Sequence, residues 1–387
     1  MQAWTSALRV IKTLEDAGYE AYLVGGAVRD YVLKRVVEDI DITTAATPLE
    51  IASLFPRAKE INKALGTMLV FEGDHQFEVT TFREEGTYLK HRRPETVTFT
   101  SDVHHDLTRR DFTMNAMLID QHETLYDPLH GMDDLTHQSI RAIGTAEVRF
   151  EEDALRLLRA FRFVAKLGFT LEEKTAQAIT KTAPLIQAIA IERIQDEWFK
   201  LLIAPHAKMA LEAMLKTGFA KHFLHLEAAI DKLTTLTFIP PLDEALALTY
   251  DEALWDEDPW RLSHKQLKTV RRLKSQFERR QREGYTPSLL FEAGPKTIKQ
   301  LERMREACGE DSQWTKAAKA YERLPIKDAR ELALKGTHLK DFKTIKEASY
   351  QTLLNQALNA VIHGEAPNTL KALLNHLNLT GKETEHE

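Results

Sequence analysis

The hydrophobic period of this chain changes once, near residue 146, and that change constrains the fold more than any single motif. Before it, short apolar runs with two-residue alternation are interleaved with helical patterns and broken by turn residues. After it, apolar residues recur at three- and four-residue spacing to the end of the chain. A mixed first part followed by a helical remainder predicts an α+β domain, a mixed sheet with helices, followed by all-α domains. The 387 residues exceed what one compact core supports, so roughly two to four domains are expected.

Within the first part, the stretch 21–48 carries the densest chemistry. An apolar strand over 21–24 runs into Gly25 and Gly26, a short helix carries Arg29 and Asp30, and a second strand presents Asp39 and Asp41. Side chains two apart on a strand share a face, so the two carboxylates are expected side by side. Like charges that close are costly unless a cation sits between them. Oxygen ligands that leave room for water and phosphate suit Mg²⁺, and glycines let a backbone approach a phosphate without a β-carbon in the way. Each element is common by chance; their order and spacing point to metal-assisted chemistry on a nucleoside triphosphate. The run 64–85 reads as a hairpin turning at Gly73-Asp74. Glu78 in its second strand is a candidate third carboxylate, with a lysine partner or plain solvation as the alternatives.

The segment GTYLKHRRPETVTF is read as a loop returning to a strand over 97–100. His105-Asp106 lacks further His and Asp partners at ligand spacing and is not read as a phosphohydrolase site. The Arg109-Arg110-Asp111-Phe112 run is read as opening a helix. Arginine offers a planar donor fork for phosphate, and Asp111 can hold an arginine or a ribose hydroxyl; a surface ion-pair pattern is the alternative. The segment 127–135 is turn-rich around Gly131 and closes the mixed region.

A single amphipathic helix is expected over 149–169. Ala154, Leu157, Leu158, Phe161, Val164 and Ala165 share one face; Asp153, Arg156, Arg159 and Arg162 wind across the other. Most such helices only bury one side. Here an Asp and an Arg three apart are helix neighbours and match a base edge. Cytosine and adenine present an amino donor beside a ring-nitrogen acceptor, which suits Asp153 as acceptor and Arg156 as donor. Uracil and guanine present the reverse order. A mismatched, unpaired charge costs on the order of several kcal/mol at most, so one pair of side chains would admit CTP and ATP and reject UTP and GTP.

The formal net charge of −6 excludes a chain uniformly coated for nucleic acid. The charge is nevertheless segregated: 224–258 holds nine acids against one lysine, and 261–284 holds nine Lys and Arg against two acids. The basic stretch suits a phosphate backbone, with a solvated helix face as the alternative. One cysteine, Cys308, excludes an internal disulfide and a cysteine zinc cluster. No apolar run approaches the roughly 18 residues a membrane span needs, and the N-terminal helix pattern ending at Gly18 carries acids unsuited to a transit peptide. The expected location is cytoplasmic, with no membrane partner. A homodimer is one of the oligomeric states the sequence leaves open.

Five motifs in order now carry a resemblance: GGAVRD with Asp39-x-Asp41, RRDFTMNA, DPLHG, EDALRLLRAFRF, and the helix around Glu192-Arg193. The chain resembles the bacterial CCA-adding enzymes, class II tRNA nucleotidyltransferases of the polymerase-β-like superfamily, and LPIKDARELALKGTHL is similar to the family's C-terminal signature. The resemblance implies a catalytic α+β head (1–145), a helical neck with the base-reading helix (146–205), a helical body (206–285) and a helical, tRNA-binding tail (286–387). It implies Mg²⁺ on Asp39 and Asp41 as the catalytic pair. Gly26 and Arg29 would contact the nucleotide, and Arg110 its phosphates or ribose. Asp153 and Arg156 would read the base, with Arg159 and Arg162 supporting the site. Asp127 and Gly131 would lie in a hinge, and 83–93 would form the loop needed for the final adenosine. Here Lys90 stands where the family has an acidic residue. The implied activity is template-independent addition of CCA to tRNA from CTP and ATP, releasing pyrophosphate. A poly(A) polymerase, a CC-only or A-only enzyme, and a catalytically silent RNA-binding relative share these motifs.

Overall fold

A computed structural model describes residues 2–387 except 87, 90–92, 95, 225, 250–259, 341, 343–345 and 380–387; at 85, 88, 89, 93 and 94 it describes the backbone alone. Lys90 and the last residues, read as a frayed tail, lie outside the described residues. Contacts divide the chain into two units. One runs to Thr234 and takes in Trp260 and Arg261, and the other comprises the described residues from Thr235 onward apart from these two.

The first unit begins with α1 (Gln2–Asp16), β1 (Ala21–Val24), α2 (Gly26–Val32), β2 (Asp41–Thr44), α3 (Pro48–Leu54), β3 (Lys59–Asn62), β4 (Thr67–Glu72) and β5 (His75–Thr81). It continues with β6 (Arg83–Glu85), β7 (Tyr88–Leu89), β8 (Arg93–Pro94), β9 (Val97–Phe99), α4 (Val103–Thr108), β10 (Leu118–Ile119), β11 (Leu125–Tyr126), α5 (Gly131–Thr136) and β12 (Ser139–Ile140). The helical part follows as α6 (Ala146–Glu152), α7 (Leu155–Leu167), β13 (Thr170–Leu171), α8 (Glu173–Thr182), α9 (Ile191–Leu202) and α10 (Ala207–Lys216).

The head is built on a seven-stranded mixed sheet in the order β11-β10-β1-β2-β5-β4-β3. Strand β1 runs antiparallel to β2 and β10, and β2 runs parallel to β5. Helix α1 packs on this sheet through Ala7, Val10, Ile11 and Leu14, the i, i+3, i+4, i+7 stripe that defines its amphipathic face, all fully buried. Val24, Leu107, Ala116, Leu118 and Ile143 form a second apolar cluster, which ties the sheet to α4 and the segment after it. The hairpin β4–β5 turns at Gly73-Asp74 as expected.

Four sequence expectations are corrected. Strand β2 starts at Asp41, so Asp39 lies in the connection before it, not on the strand. The Arg109-Arg110-Asp111-Phe112 run opens only a single 3₁₀ turn, Thr113–Asn115, with Phe112 at its N-cap. Asp102 caps the preceding helix by accepting from His104 N, so α4 starts early and has ended by Thr108, with Arg109 at its C-cap. The expected helix 149–169 is two helices, because Asp153 is extended (φ −134°, ψ 100°) between α6 and α7. Strand structure also reaches past the period change, since Ser139 and Ile140 pair in parallel with Thr170 and Leu171.

Helix α7 is enclosed on more than one side: Leu155, Ala160, Phe163 and Leu167 are buried along with the expected apolar face. It packs against α9 and α10. Phe161, Phe219, Phe223, Trp198 and Trp260 continue that core as a chain of ring contacts 5.0–6.3 Å between centroids. The second unit is helical among its described residues. The basic stretch forms one helix, His264–Glu283, with Val270, Leu273 and Phe277 buried and Lys265, Lys268, Arg272 and Arg282 exposed. In the segment 324–339, Ile326, Leu332, Leu334 and Leu339 join a core with Ala357, Ala360 and Val361. Among the described residues no helix is long and apolar enough to cross a membrane.

The turn at 127–131 is tightly seated. Asp127 accepts from Gly131 N (2.7 Å) and Met132 N (2.8 Å), and a β-carbon on Gly131 would stand 2.5 Å from the Thr113 carbonyl oxygen. Backbone cannot yield as a side-chain tip can, so Gly131→Ala is expected to destabilise by about 1–3 kcal/mol. Thermal unfolding checks this; an unchanged melting temperature would show that the turn gives way freely.

Candidate active site

A cleft of about 450 Å³ opens in the first unit, and nine of the residues singled out from the sequence for metal or nucleotide line it: Gly26, Arg29, Asp39, Asp41, Arg110, Asp153, Arg156, Arg159 and Arg162. It has an acidic end, an arginine-rich floor and a far end where α6 meets α7.

At the acidic end, Asp41 stands in register with Val24 on one side and Glu78 on the other. Burial of its surroundings pushes the Asp41 carboxyl up; Arg110 pulls it back, and Glu78 and Asp39 push it further up. Glu78 is beside Asp41 in strand register, but among the described residues no three His, Cys, Asp or Glu side chains come together to hold a metal, so the reading of Glu78 as a third ligand is not supported. Gly25 holds φ 76°, ψ −137°, a conformation suited to a residue without a β-carbon. Such a carbon would stand 3.6 Å from Arg110 Nη1 and 3.8 Å from Asp41 Oδ2, so the bare backbone of Gly25 forms the wall between the acids and the arginine.

The floor is a buried ionic lattice. Arg29, 2% exposed, donates to both Asp30 oxygens (2.9 and 3.0 Å) and to Asn115 Oδ1 (2.7 Å). Asn115 in turn donates to Asp111 Oδ1 (3.0 Å). Arg159 reaches Asp111 Oδ2 through two nitrogens (2.8 and 2.5 Å) and Glu197 at 3.4 Å; Arg162 pairs with Glu197. Phe163 lies beneath three guanidiniums, those of Arg29, Arg159 and Arg162, at 5.3, 5.5 and 4.4 Å from the ring centre. Burial alone would raise the Asp111 carboxyl. The Arg159 charge and the bonds from Asn115 and Arg159 overcome it and hold Asp111 at about 2. Burial pushes Arg162 down, helped by the like charge of Arg159.

At the far end the expected local geometry is corrected: Asp153 lies in the break before α7, so it and Arg156 are not neighbours on one helix. Asp153 is gripped by Arg193 of α9 at 2.7 and 3.2 Å and accepts from Leu155 N (3.2 Å), capping α7. Arg156 donates to Glu152 (2.6 Å), to the Arg149 carbonyl (2.9 Å) and to the Arg109 carbonyl (2.7 Å). The three-residue neighbour rule holds only on an unbroken helix, so it does not set the geometry of these two side chains. Sequence reasoning thus missed Arg193, Glu152, Glu197 and Asn115 as members of the site. Their sequence signal was membership in the same motifs, not spacing to a partner. Asp127 and Gly131 do not line this cleft.

Asp106 shares the low carboxyl value of Asp111: burial would raise it, while Arg110 and Arg109 hold it at about 2. Both groups lie below the ordinary carboxylate value of 3.8. A depressed folded-state pKa stabilises above the unfolded value, and that stability is lost as pH falls toward the folded one. Acid destabilisation is therefore expected between pH 3.8 and about 2. Asp111→Asn should flatten that limb and, at neutral pH, cost about 3–5 kcal/mol by leaving Arg159 without its buried counter-charge. Urea unfolding across this range and at neutral pH checks both; an acid limb identical in the variant would sink the assignment.

With this geometry in place, comparison with known proteins identifies the relatives. The chain matches the Poly A polymerase head domain family over residues 21–141 and the tRNA nucleotidyltransferase domain 2 family over residues 258–377. It is 35% identical to a CCA-adding enzyme of Lactobacillus delbrueckii subsp. bulgaricus, covering 97% of this chain and 98% of that one. It is 37% identical to a CCA-adding enzyme of Anoxybacillus flavithermus, with 96% of each covered. Among solved structures, the Bacillus stearothermophilus CCA-adding enzyme, determined in complex with CTP, superposes with a TM-score of 0.87 at 32% identity over 98% of both chains. Near full-length coverage at this identity extends the likeness from the head through the helical remainder, and the chain belongs to the CCA-adding enzyme family.

Proposed function

We propose that this chain adds C, C and A to the 3′ end of tRNA without a nucleic-acid template, using CTP and ATP and releasing pyrophosphate. One observation carries the reading: a single cleft holds a pair of carboxylates at one end, arginines along its floor and an Asp with two arginines at the other. That is the layout a nucleoside triphosphate needs when its phosphates react and its base is chosen by side chains.

CCA-adding nucleotidyltransferases generally use a divalent metal, and Mg²⁺ fits Asp39 and Asp41. They supply two hard oxygen donors at a cleft wall formed by the Gly25 backbone, with Arg110 alongside for phosphate. Bound there, Mg²⁺ would neutralise triphosphate charge and favour the attacking form of the RNA 3′ hydroxyl. The protein's own residues do the rest. Arg110 donates to the phosphates, Gly26 lets the chain approach them, and the Arg29–Asp111–Arg159–Arg162 lattice keeps the floor rigid. Asp153 accepts the exocyclic amino group of cytosine or adenine, and Arg156 donates to the adjacent ring nitrogen. The base takes up these contacts by exchange with Arg193 and Glu152, their partners in the structure. The exposed cations of the helix His264–Glu283 suit the tRNA backbone. Segments 1–145, 146–205, 206–285 and 286–387 serve as head, neck, body and tail. A tRNA substrate and a single cysteine support a cytoplasmic location.

The decisive assay incubates the protein with tRNA lacking CCA, with CTP alone, ATP alone and both, and sequences the 3′ ends. Two cytidines with CTP alone and CCA with both are expected; long adenosine tails with ATP alone would mark a poly(A) polymerase instead. Asp39→Ala should abolish incorporation while tRNA binding stays nearly intact, and near-wild-type addition would refute the metal assignment. Arg156→Ala should relax selection against UTP and GTP by roughly ten- to a hundred-fold, measured as the ratio of kcat/KM values.

A further inference from the structure

Arg110 is held at the cleft by Asp106. The Asp106 side chain is fully buried, and both oxygens are committed. Oδ1 accepts from Arg109 Nε (3.0 Å) and Nη2 (2.5 Å), and Oδ2 accepts from Arg110 Nη2 (2.9 Å) and the Thr43 hydroxyl (3.3 Å). One carboxylate therefore forks two consecutive arginines and ties them to β2, two residues beyond Asp41. The backbone of the same turn is fixed from the other side. Arg149 donates to the Thr108 carbonyl (2.9 Å) and Arg156 to the Arg109 carbonyl (2.7 Å), the carbonyls that the end of α4 leaves without helical partners.

Arg110 has two acids within electrostatic reach, Asp106 and Asp41, and its hydrogen bond goes to Asp106. A buried carboxylate has no water to fall back on, so it holds its arginines more firmly than a solvent-reached one can. The opposite edge of the guanidinium, Nη1, is left facing the bare Gly25 wall of the cleft.

We infer that Asp106 is the positioning residue of the triphosphate end: it sets Arg109 and Arg110 in the cleft and keeps Arg110 from collapsing onto Asp41. The inference rests on the cleft being a nucleotidyl-transfer site, and it gives the His-Asp dipeptide of the sequence a function other than metal binding.

The test is steady-state kinetics of the full-length Asp106→Asn variant on tRNA lacking CCA, with pyrophosphate as an inhibitor. KM for CTP and for ATP should rise together by roughly ten-fold, and the inhibition constant of pyrophosphate by a similar factor. The preference for CTP over UTP should not move. In an Arg110→Ala background, the effect of Asp106→Asn should shrink to the share carried by Arg109, because the share carried by Arg110 is already lost, and an undiminished effect counts against the inference. A lowered melting temperature with unchanged KM and unchanged pyrophosphate inhibition would reduce Asp106 to a structural role and overturn the inference. Altered base preference without a change in pyrophosphate inhibition would overturn it too. Should Asp106→Asn fail to fold, Thr43→Val removes one donor to the same carboxylate; a smaller rise of both constants is expected, and no rise counts against the inference. Failure of the parent reading is distinct, since the wild-type protein would then incorporate neither nucleotide.

Discussion

The Asp111–Arg159 ion pair is the interaction on which the rest of the site depends. A carboxylate that deep is tolerated only because a guanidinium contacts it through two nitrogens and an amide donates to its other oxygen. Through it the turn after α4 is locked to α7, and through Glu197 the same arginine is locked to α9. Three chain segments far apart in sequence are thereby held around one cleft. Hydrophobic contact between Phe112 and Phe163 (5.6 Å between centroids) supports the same junction but does not fix its orientation. Charge pairing is directional where apolar packing is not, and a site that must place donors to within a fraction of an ångström gains from that.

The break at Asp153 has a comparable consequence for specificity. On a continuous helix, Asp153 and Arg156 would neutralise each other. Because the chain is extended at Asp153, each side chain is engaged by another element, Asp153 by α9 and Arg156 by α6 and the turn at Arg109. Arg156 thus links the far end of the cleft to the turn that carries Arg109 and Arg110 through its bond to the Arg109 carbonyl.

Much of the site was legible in the sequence because its residue types announce their chemistry. The glycine pair, the two aspartates and the arginine run each demand a narrow class of environments, and all of them line one cleft. What the sequence misplaced were local conformations. Periodicity reads 149–169 as one helix because apolar spacing survives a one-residue interruption, and nothing in the composition marks an extended Asp153. The Arg109-Arg110 run reads as a helix start, but Asp102 caps the chain earlier, so α4 ends before the run. Asp39 was assigned to a strand because alternation says nothing of where pairing begins.

The sequence by itself determined the α+β head, the helical remainder, the order of the motifs and many of the residues that meet in the cleft. These follow from hydrophobic period and side-chain chemistry, which are properties of short stretches. Only the tertiary structure decided who pairs with whom: Arg193 with Asp153, Glu152 with Arg156, Glu197 with Arg162, Asp106 with Arg109 and Arg110. In a chain with 110 acidic and basic side chains, every charge has many candidate partners at no sequence cost. The choice is made by burial and direction, which exist only once the elements have packed.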